Sequence, residues 1–129
     1  MTKYFLPVIV AALLILAVVF IVLRGNEDNW IKDSRGVWIK HGNPSKTPEQ
    51  VLQQQEAINC ALEKFNNYNF IEEINSQCLG SCEDYAVDIV HVPRATEDNL
   101  IENQCADFRE GKVSHFIELD KNGEIVRIV

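Results

Sequence analysis

The chain is short of positive charge and of recognisable chemistry. Against 19 Asp and Glu it carries 12 Lys and Arg, of which 10 remain once Lys3 and Arg24 are set aside. Every acidic residue lies after residue 25, so that part holds a net charge of about −9. This argues against nucleic acid or anionic lipid as its partner, since both require a basic face. There is no G-x-S-x-G, P-loop, H-E-x-x-H or C-x-x-C, so the common signatures of hydrolases, nucleotide enzymes, metalloproteases and dithiol oxidoreductases are missing. The pairs Glu72-Glu73, Glu83-Asp84 and Glu97-Asp98 are adjacent, so their side chains diverge in regular structure, and no EF-hand spacing supports calcium. They read as solvated charge. Asn43-Pro44-Ser45 is no glycan acceptor, because proline holds its middle position. No repeat of 20 to 50 residues and no low-complexity tract is present. No catalytic residue and no cofactor is expected, and a non-catalytic chain is favoured.

Charge is also missing from Tyr4 to Leu23, where 15 of 20 residues are Leu, Ile, Val or Phe. At about 1.5 Å per residue a helix of that length matches a hydrocarbon thickness of roughly 30 Å. The lipid bilayer is therefore the first expected partner, through a signal-anchor. A cleaved signal peptide is the competing reading, but the run is long for one and "FIVLRGNED" has no A-x-A site. The organisation expected is a head (residues 1–3), an anchor (4–23), a tether (24–29) and one small domain (30–129). Lysines and arginines after the helix favour a cytoplasmic domain. The even set of four cysteines favours an oxidising compartment outside it, and that orientation is preferred.

Within the domain, "WIKDSRGVWIK" predicts a hairpin turning at Ser34–Gly36. Ile31, Val37 and Ile39 would share one face. Trp30, Lys32, Trp38 and Lys40 would share the other, each lysine across from an indole. That stripe is the candidate binding surface if it faces outward; if the sheet is covered on both sides the indoles are core. Thr47, Pro48 and Gln50 suggest a capping box opening a helix. Val51, Ile58, Leu62 and Phe65 form its apolar stripe with Leu52, Ala57 and Ala61 alongside, and Phe70, Ile71 and Ile74 extend it. "CLGSC" reads as a turn, and "DYAVDIVHVP" as a central strand apolar on both faces. Residues 93–112 have no clear period beyond a possible short helix after Thr96. Asn122-Gly123 sets a two-residue C-terminal hairpin pairing Leu119 with Val126, Glu118 with Arg127, Ile117 with Ile128 and Phe116 with Val129. The sum is α+β: a transmembrane helix, then one main helix packed on an antiparallel sheet, with a hairpin at each end of the domain.

Cys60, Cys78, Cys82 and Cys105 are disulfide candidates with three possible connectivities. A Cys78–Cys82 bridge would close a tight five-residue loop. The other two patterns join one of that pair to Cys60 and the other to Cys105, each worth about 3–4 kcal/mol. A four-thiolate zinc site lacks knuckle spacing in its second half. His91 and His115 fall on apolar-patterned strand faces and read first as buried core histidines. On antiparallel neighbouring strands they could instead meet as a weak metal alternative. His41 is expected at the surface.

At "RGVWIKHGNPS", "NSQCLGSCEDYAVDIVHVPR" and "SHFIELDKNGEIVRIV" the chain resembles a group of small archaeal and environmental-genome proteins. These have a hydrophobic N-terminus and a four-cysteine domain of unknown function. The resemblance covers most of residues 30 to 129 and implies no activity or site. The expected function is a membrane-anchored, extracytoplasmic, non-catalytic binding domain for an unknown protein or small molecule. The alternative is a metal- or thiol-dependent enzyme using the strand histidines and cysteines.

Overall fold

The structure, a computed structural model, describes residues 5–25, 28–68 and 77–129. Tyr4, positions 26–27 of the tether, the Glu72-Glu73 pair and the helical extension expected at Phe70, Ile71 and Ile74 lie outside the described residues. Two compact units are present, residues 1–31 with 39–47, and residues 32–38 with 48–129.

The first unit holds α1 (Phe5–Gly25). Its segment Leu6–Leu23 has a mean hydropathy of 3.3 and none of it is buried. By length and composition it is apolar enough to cross a membrane. The outer residues of β1 (Asn29–Lys32) and β2 (Trp38–His41) follow, the two strands forming a two-stranded sheet. Here Lys40 Nζ lies 6.0 Å from the Trp30 ring, and Trp30 Nε1 donates to the Lys46 carbonyl at 3.1 Å.

The second unit begins with the hairpin tip. Asp33 organises it by accepting from the Arg35 and Val37 amides, while its other oxygen takes the Arg35 guanidinium. The Arg35 hydrogen bond leads the effects that hold the Asp33 carboxyl below its usual range. Helix α2 (Glu49–Asn67) starts later than the capping box implied: Pro48 stays extended at ψ 150° and takes the N-cap place, so Thr47 and Gln50 form no box. Val51, Ala57 and Ala61 are buried, but so is Gln54, while Leu52 is exposed.

The four-stranded sheet runs β3 (Cys78–Cys82), β4 (Tyr85–Ile89), β5 (His115–Leu119), β6 (Ile125–Ile128), in that spatial order. "CLGSC" is thus an edge strand rather than a turn. The expectation of an antiparallel sheet holds for β3–β4 and β5–β6, but β4 and β5 are parallel. A parallel pair needs a crossover of a dozen or more residues, and residues 90–114 supply it. It carries two 3₁₀ turns, Thr96–Asn99 and Ile101–Asn103, and α3 (Ala106–Arg109). In the C-terminal hairpin Ile117 faces Ile128 and Glu118 faces Arg127 as the pattern implies, but Leu119 pairs with Ile125 across a register shift. The Asp120 carboxylate causes it: Asp120 caps the Asn122 and Glu124 amides, and its N–H pairs with the Glu124 carbonyl, lengthening the turn by one residue.

A bulge in β3 divides the core. Cys82 lies across from Tyr85 and Gly80 from Val87, yet Cys78 lies across from Asp88, one residue out of step. Gly80 takes φ +109° there, a region that glycine enters at little cost. Cys78 and Cys82, which strict alternation would put on one face, therefore serve opposite faces. On one, Cys82, Tyr85, Val87, Ile117, Leu119 and Ile128 pack with Ala57 and Ala61 of α2. On the other, Cys78, Ala86 and Phe116 pack with Cys105, Phe108 and Val113 from the crossover. Both faces of β4 are covered, as its apolar pattern required.

Two close approaches lock the hairpin tip to this body. Ile128 N–H donates to the Arg35 carbonyl at 2.7 Å, and a Cβ on Gly36 would sit 2.2 Å from the Ile128 carbonyl oxygen. Gly36 is also at φ +85°. Gly36→Ala is expected to cost about 2–3 kcal/mol in denaturant unfolding; a loss below about 0.5 kcal/mol would contradict this packing.

Candidate functional site

An open cleft of about 820 Å3 lies on the second unit. One wall is the first half of α2, which presents Glu49, Gln53 and Glu56, together with Lys32 and Trp38. Gln54 positions that wall. Buried at 2% exposure, it accepts the Trp38 amide at 2.8 Å and donates to the Gly36 carbonyl at 3.0 Å, so its carboxamide stands in for a neighbouring strand. Lys32 Nζ lies 5.2 Å from the Trp38 ring, the pairing that the repeated tripeptide implied.

The other wall is the tight β3–β4 turn and the start of the parallel ladder. Glu83 adopts φ +51°, uncommon for a residue with a side chain. Asp84 ties the turn to the next strand: its carbonyl accepts the His115 amide and its carboxylate the Ser114 amide. Tyr85 and His115 are cross-strand partners with rings stacked at 4.9 Å. His115 Nδ1 sits 3.2 Å from the Val129 carbonyl and Nε2 3.8 Å from the Asp84 carboxylate. Burial, then the Asp84 charge, raises the Tyr85 phenol, keeping it neutral. Four carboxylates (Glu49, Glu56, Glu83, Asp84) thus stand against one lysine around three ring systems. Such a lining favours cations through charge.

His91 and His115 are not brought together. Because β4 and β5 are parallel, His115 stands beside Tyr85 while His91 follows the far end of β4, roughly 20 Å along the strands. Neither is a core histidine; both are exposed. His91 Nδ1 instead bonds the Asp98 carboxylate at 2.9 Å. Asp98 also accepts the His91 and Ala95 amides and the Gln77 side-chain amide. Burial opposes ionisation of Asp98, but these donors outweigh it and its carboxyl is lowered. Asp98 is thereby the knot of the crossover's first turn. The Trp30 and Lys40 pair belongs to the other unit, and both indoles are half-buried. Ile31 and Ile39 are exposed, so of the hairpin's expected inward face only Val37 reaches the core.

All four cysteines are paired, Cys60 with Cys82 and Cys78 with Cys105, one of the two long-range patterns left open by spacing. Asp88 comes within 4.8 Å of the second pair's sulfurs. With those sulfurs bonded to each other, they are not free as thiolate ligands for a metal. Asp88 is 7% exposed and accepts the Cys105 amide at 3.1 Å. Its carboxyl is raised from 3.8 to about 6, chiefly by burial, against the pull of that amide, with the Glu118 charge adding to the rise. Glu118, beside it on β5, is held by both Arg94 and Arg127. Sequence reasoning did not bring Gln54, Asp88 or Tyr85 forward as candidates, and it set the Glu83-Asp84 pair aside as solvated charge. An acid inside the apolar run "AVDIV" was the available signal for Asp88.

Comparison with protein-family models, with curated proteins and with solved structures gives no match.

The folded chain binds the Asp88 proton more tightly than the unfolded chain does. Ionising it therefore removes stability as pH rises from about 4 through about 6, and costs nothing below that window. Asp88→Asn is expected to be more stable than wild type by about 1–3 kcal/mol near neutral pH, with the difference vanishing near pH 4. Equal stabilities at neutral pH would contradict the burial of an unpaired charge there.

Proposed function

We propose that this protein is a membrane-anchored, extracytoplasmic binding module whose α2–sheet cleft takes an extended ligand segment bearing amino or guanidinium groups. The anchor is α1; the apolar span of 18 residues supports it. The two disulfides support an oxidising compartment for the body. The observation that carries the ligand class is the cleft's lining, four carboxylates beside Trp38 and the stacked Tyr85 and His115 rings against a single lysine. Lys32 lies over Trp38 and occupies the position that a ligand cation would take on that ring. An incoming cation would displace it toward Glu49 and Glu56 on α2. The body's net negative charge adds a long-range attraction for the same class of ligand, which raises the encounter rate at low salt.

Full-length protein reconstituted in neutral-lipid vesicles, carrying Trp30→Phe so that Trp38 is the only indole, gives a direct test. A lysine-rich peptide is expected to change Trp38 emission saturably, a glutamate-rich peptide of equal length to leave it unchanged, and added salt to weaken the effect. The double change Glu83→Lys and Asp84→Lys is expected to weaken binding by about tenfold or more, equivalent to roughly 1.4 kcal/mol. Equal response to the two peptides would refute the cationic ligand class.

A further inference from the structure

We propose that the Cys78–Cys105 disulfide is a thiol–disulfide exchange site that takes electrons from a dithiol partner, with Asp88 carrying the proton of Cys105. The inference is independent of the cleft, which lies at other residues.

The two disulfides have different surroundings. Cys60–Cys82 joins α2 to β3 inside the larger apolar cluster. Cys78–Cys105 joins the sheet-edge strand to the crossover; like Cys60–Cys82 it links a half-buried cysteine, Cys78 at the bulge, to a buried one, Cys105 at 1% exposure, but among the described residues it alone has a carboxylate, Asp88, at its sulfurs. An attacking thiolate therefore reaches Cys78 first, and Cys105 becomes the leaving sulfur. A leaving thiolate in a buried, apolar place needs a proton. Asp88, the cross-strand partner of Cys78, has its carboxylate within 4.8 Å of both sulfurs. Alone among the buried carboxylates of the described residues it has neither a cation nor a set of several donors; the Cys105 amide is its hydrogen-bond partner. Asp98 and Asp120 are capped by several donors, and Glu118 by two arginines. A protein that wanted only a staple would gain stability by placing an apolar residue at position 88. The reduced state is also accommodated. Cys105 Sγ lies 3.4 Å from the Val87 carbonyl and 3.7 Å from that of Gly80, acceptors for a Cys105 thiol once the bond opens.

The exchange balances as follows. The partner's thiolate forms a bond to Cys78 Sγ as the Cys78–Cys105 bond breaks, the electron pair passing to Cys105 Sγ, which takes the proton from the Asp88 carboxyl. The partner's second thiolate then displaces Cys78, which is protonated from solvent, as is Asp88. Two electrons and two protons pass from the partner dithiol, which leaves as a disulfide. Other ionisable groups around Asp88 are already engaged: Glu118 with Arg94 and Arg127 on the β5 side, and Asp107 on α3 with Ser81 and Lys112. Ser81 and then Lys112 hold the Asp107 carboxyl low, so it has no proton to give near neutrality.

The test uses the full chain in detergent micelles, dithiothreitol as the dithiol, and quantitative alkylation of each cysteine read by mass spectrometry. Cys78 and Cys105 are expected to open together at a dithiol concentration at least about tenfold below that needed for Cys60 and Cys82. The opening rate, divided by the thiolate concentration, is expected to fall by about tenfold or more from about pH 5 to about pH 8. In Asp88→Asn, which should fold at least as well as wild type, that fall is expected to disappear. Simultaneous opening of both disulfides, a flat wild-type profile, or an unchanged profile in Asp88→Asn would each overturn the proposal. The wild-type profile decides the matter even if the variant does not fold.

Discussion

One extra residue in β3 sets the layout of the body. The bulge between Cys78 and Gly80 puts two cysteines four positions apart on opposite faces of the sheet. Each face then receives its own covalent tie, α2 through Cys60–Cys82 and the crossover through Cys78–Cys105. In the chain-entropy account each loop closed is worth about 3.5 kcal/mol, a large share of the stability of a domain of this size. The bulge itself depends on Gly80 at φ +109°.

Charge reinforces the same layering. Three carboxylates on the crossover side of the sheet have three different environments. Glu118 is neutralised by Arg94 from the crossover and Arg127 from β6, clamping the layer to the sheet. Asp98 gathers amides and His91 to close the crossover's first turn. Among the described residues Asp88 has the Cys105 amide alone as hydrogen-bond partner, and burial raises its carboxyl to about 6 against the pull of that amide. The opposite end of the sheet is wet, and its acids face solvent around the cleft. Asp88 therefore stands beside the Cys78–Cys105 sulfurs while Glu83 and Asp84 border the rings of the cleft, which separates the two chemistries assigned to this body.

Much of this was legible where the pattern was local. The Trp–Lys pairs of the first hairpin follow from a three-residue turn, and their separations of 5.2 and 6.0 Å agree with it. Most of the C-terminal register followed from opposite charges and apolar partners, failing at Leu119 because the Asp120 side chain was not counted as part of the turn. What was not legible was non-local. Residues 93–112 show no period because they cover a face with single-turn pieces, so nothing in them announced a parallel crossover. The parallel pairing in turn moved His91 away from His115. "CLGSC" resembled a turn because a glycine in a bulge and a glycine in a turn look alike in sequence. Gln54 was hidden because its partners, Gly36 and Trp38, are backbone groups 16 to 18 residues away.

The cleft walls and the place of Asp88 beside the Cys78–Cys105 sulfurs both presuppose the two cross-face ties. Mapping the disulfides of the intact protein, isolated under non-reducing conditions and cleaved after Lys64, Leu79 and Arg94, tests that layout directly. The account predicts linked peptides containing Cys60 with Cys82 and Cys78 with Cys105. A Cys60–Cys78 or Cys78–Cys82 link, or four thiols that alkylate without reduction, would contradict it.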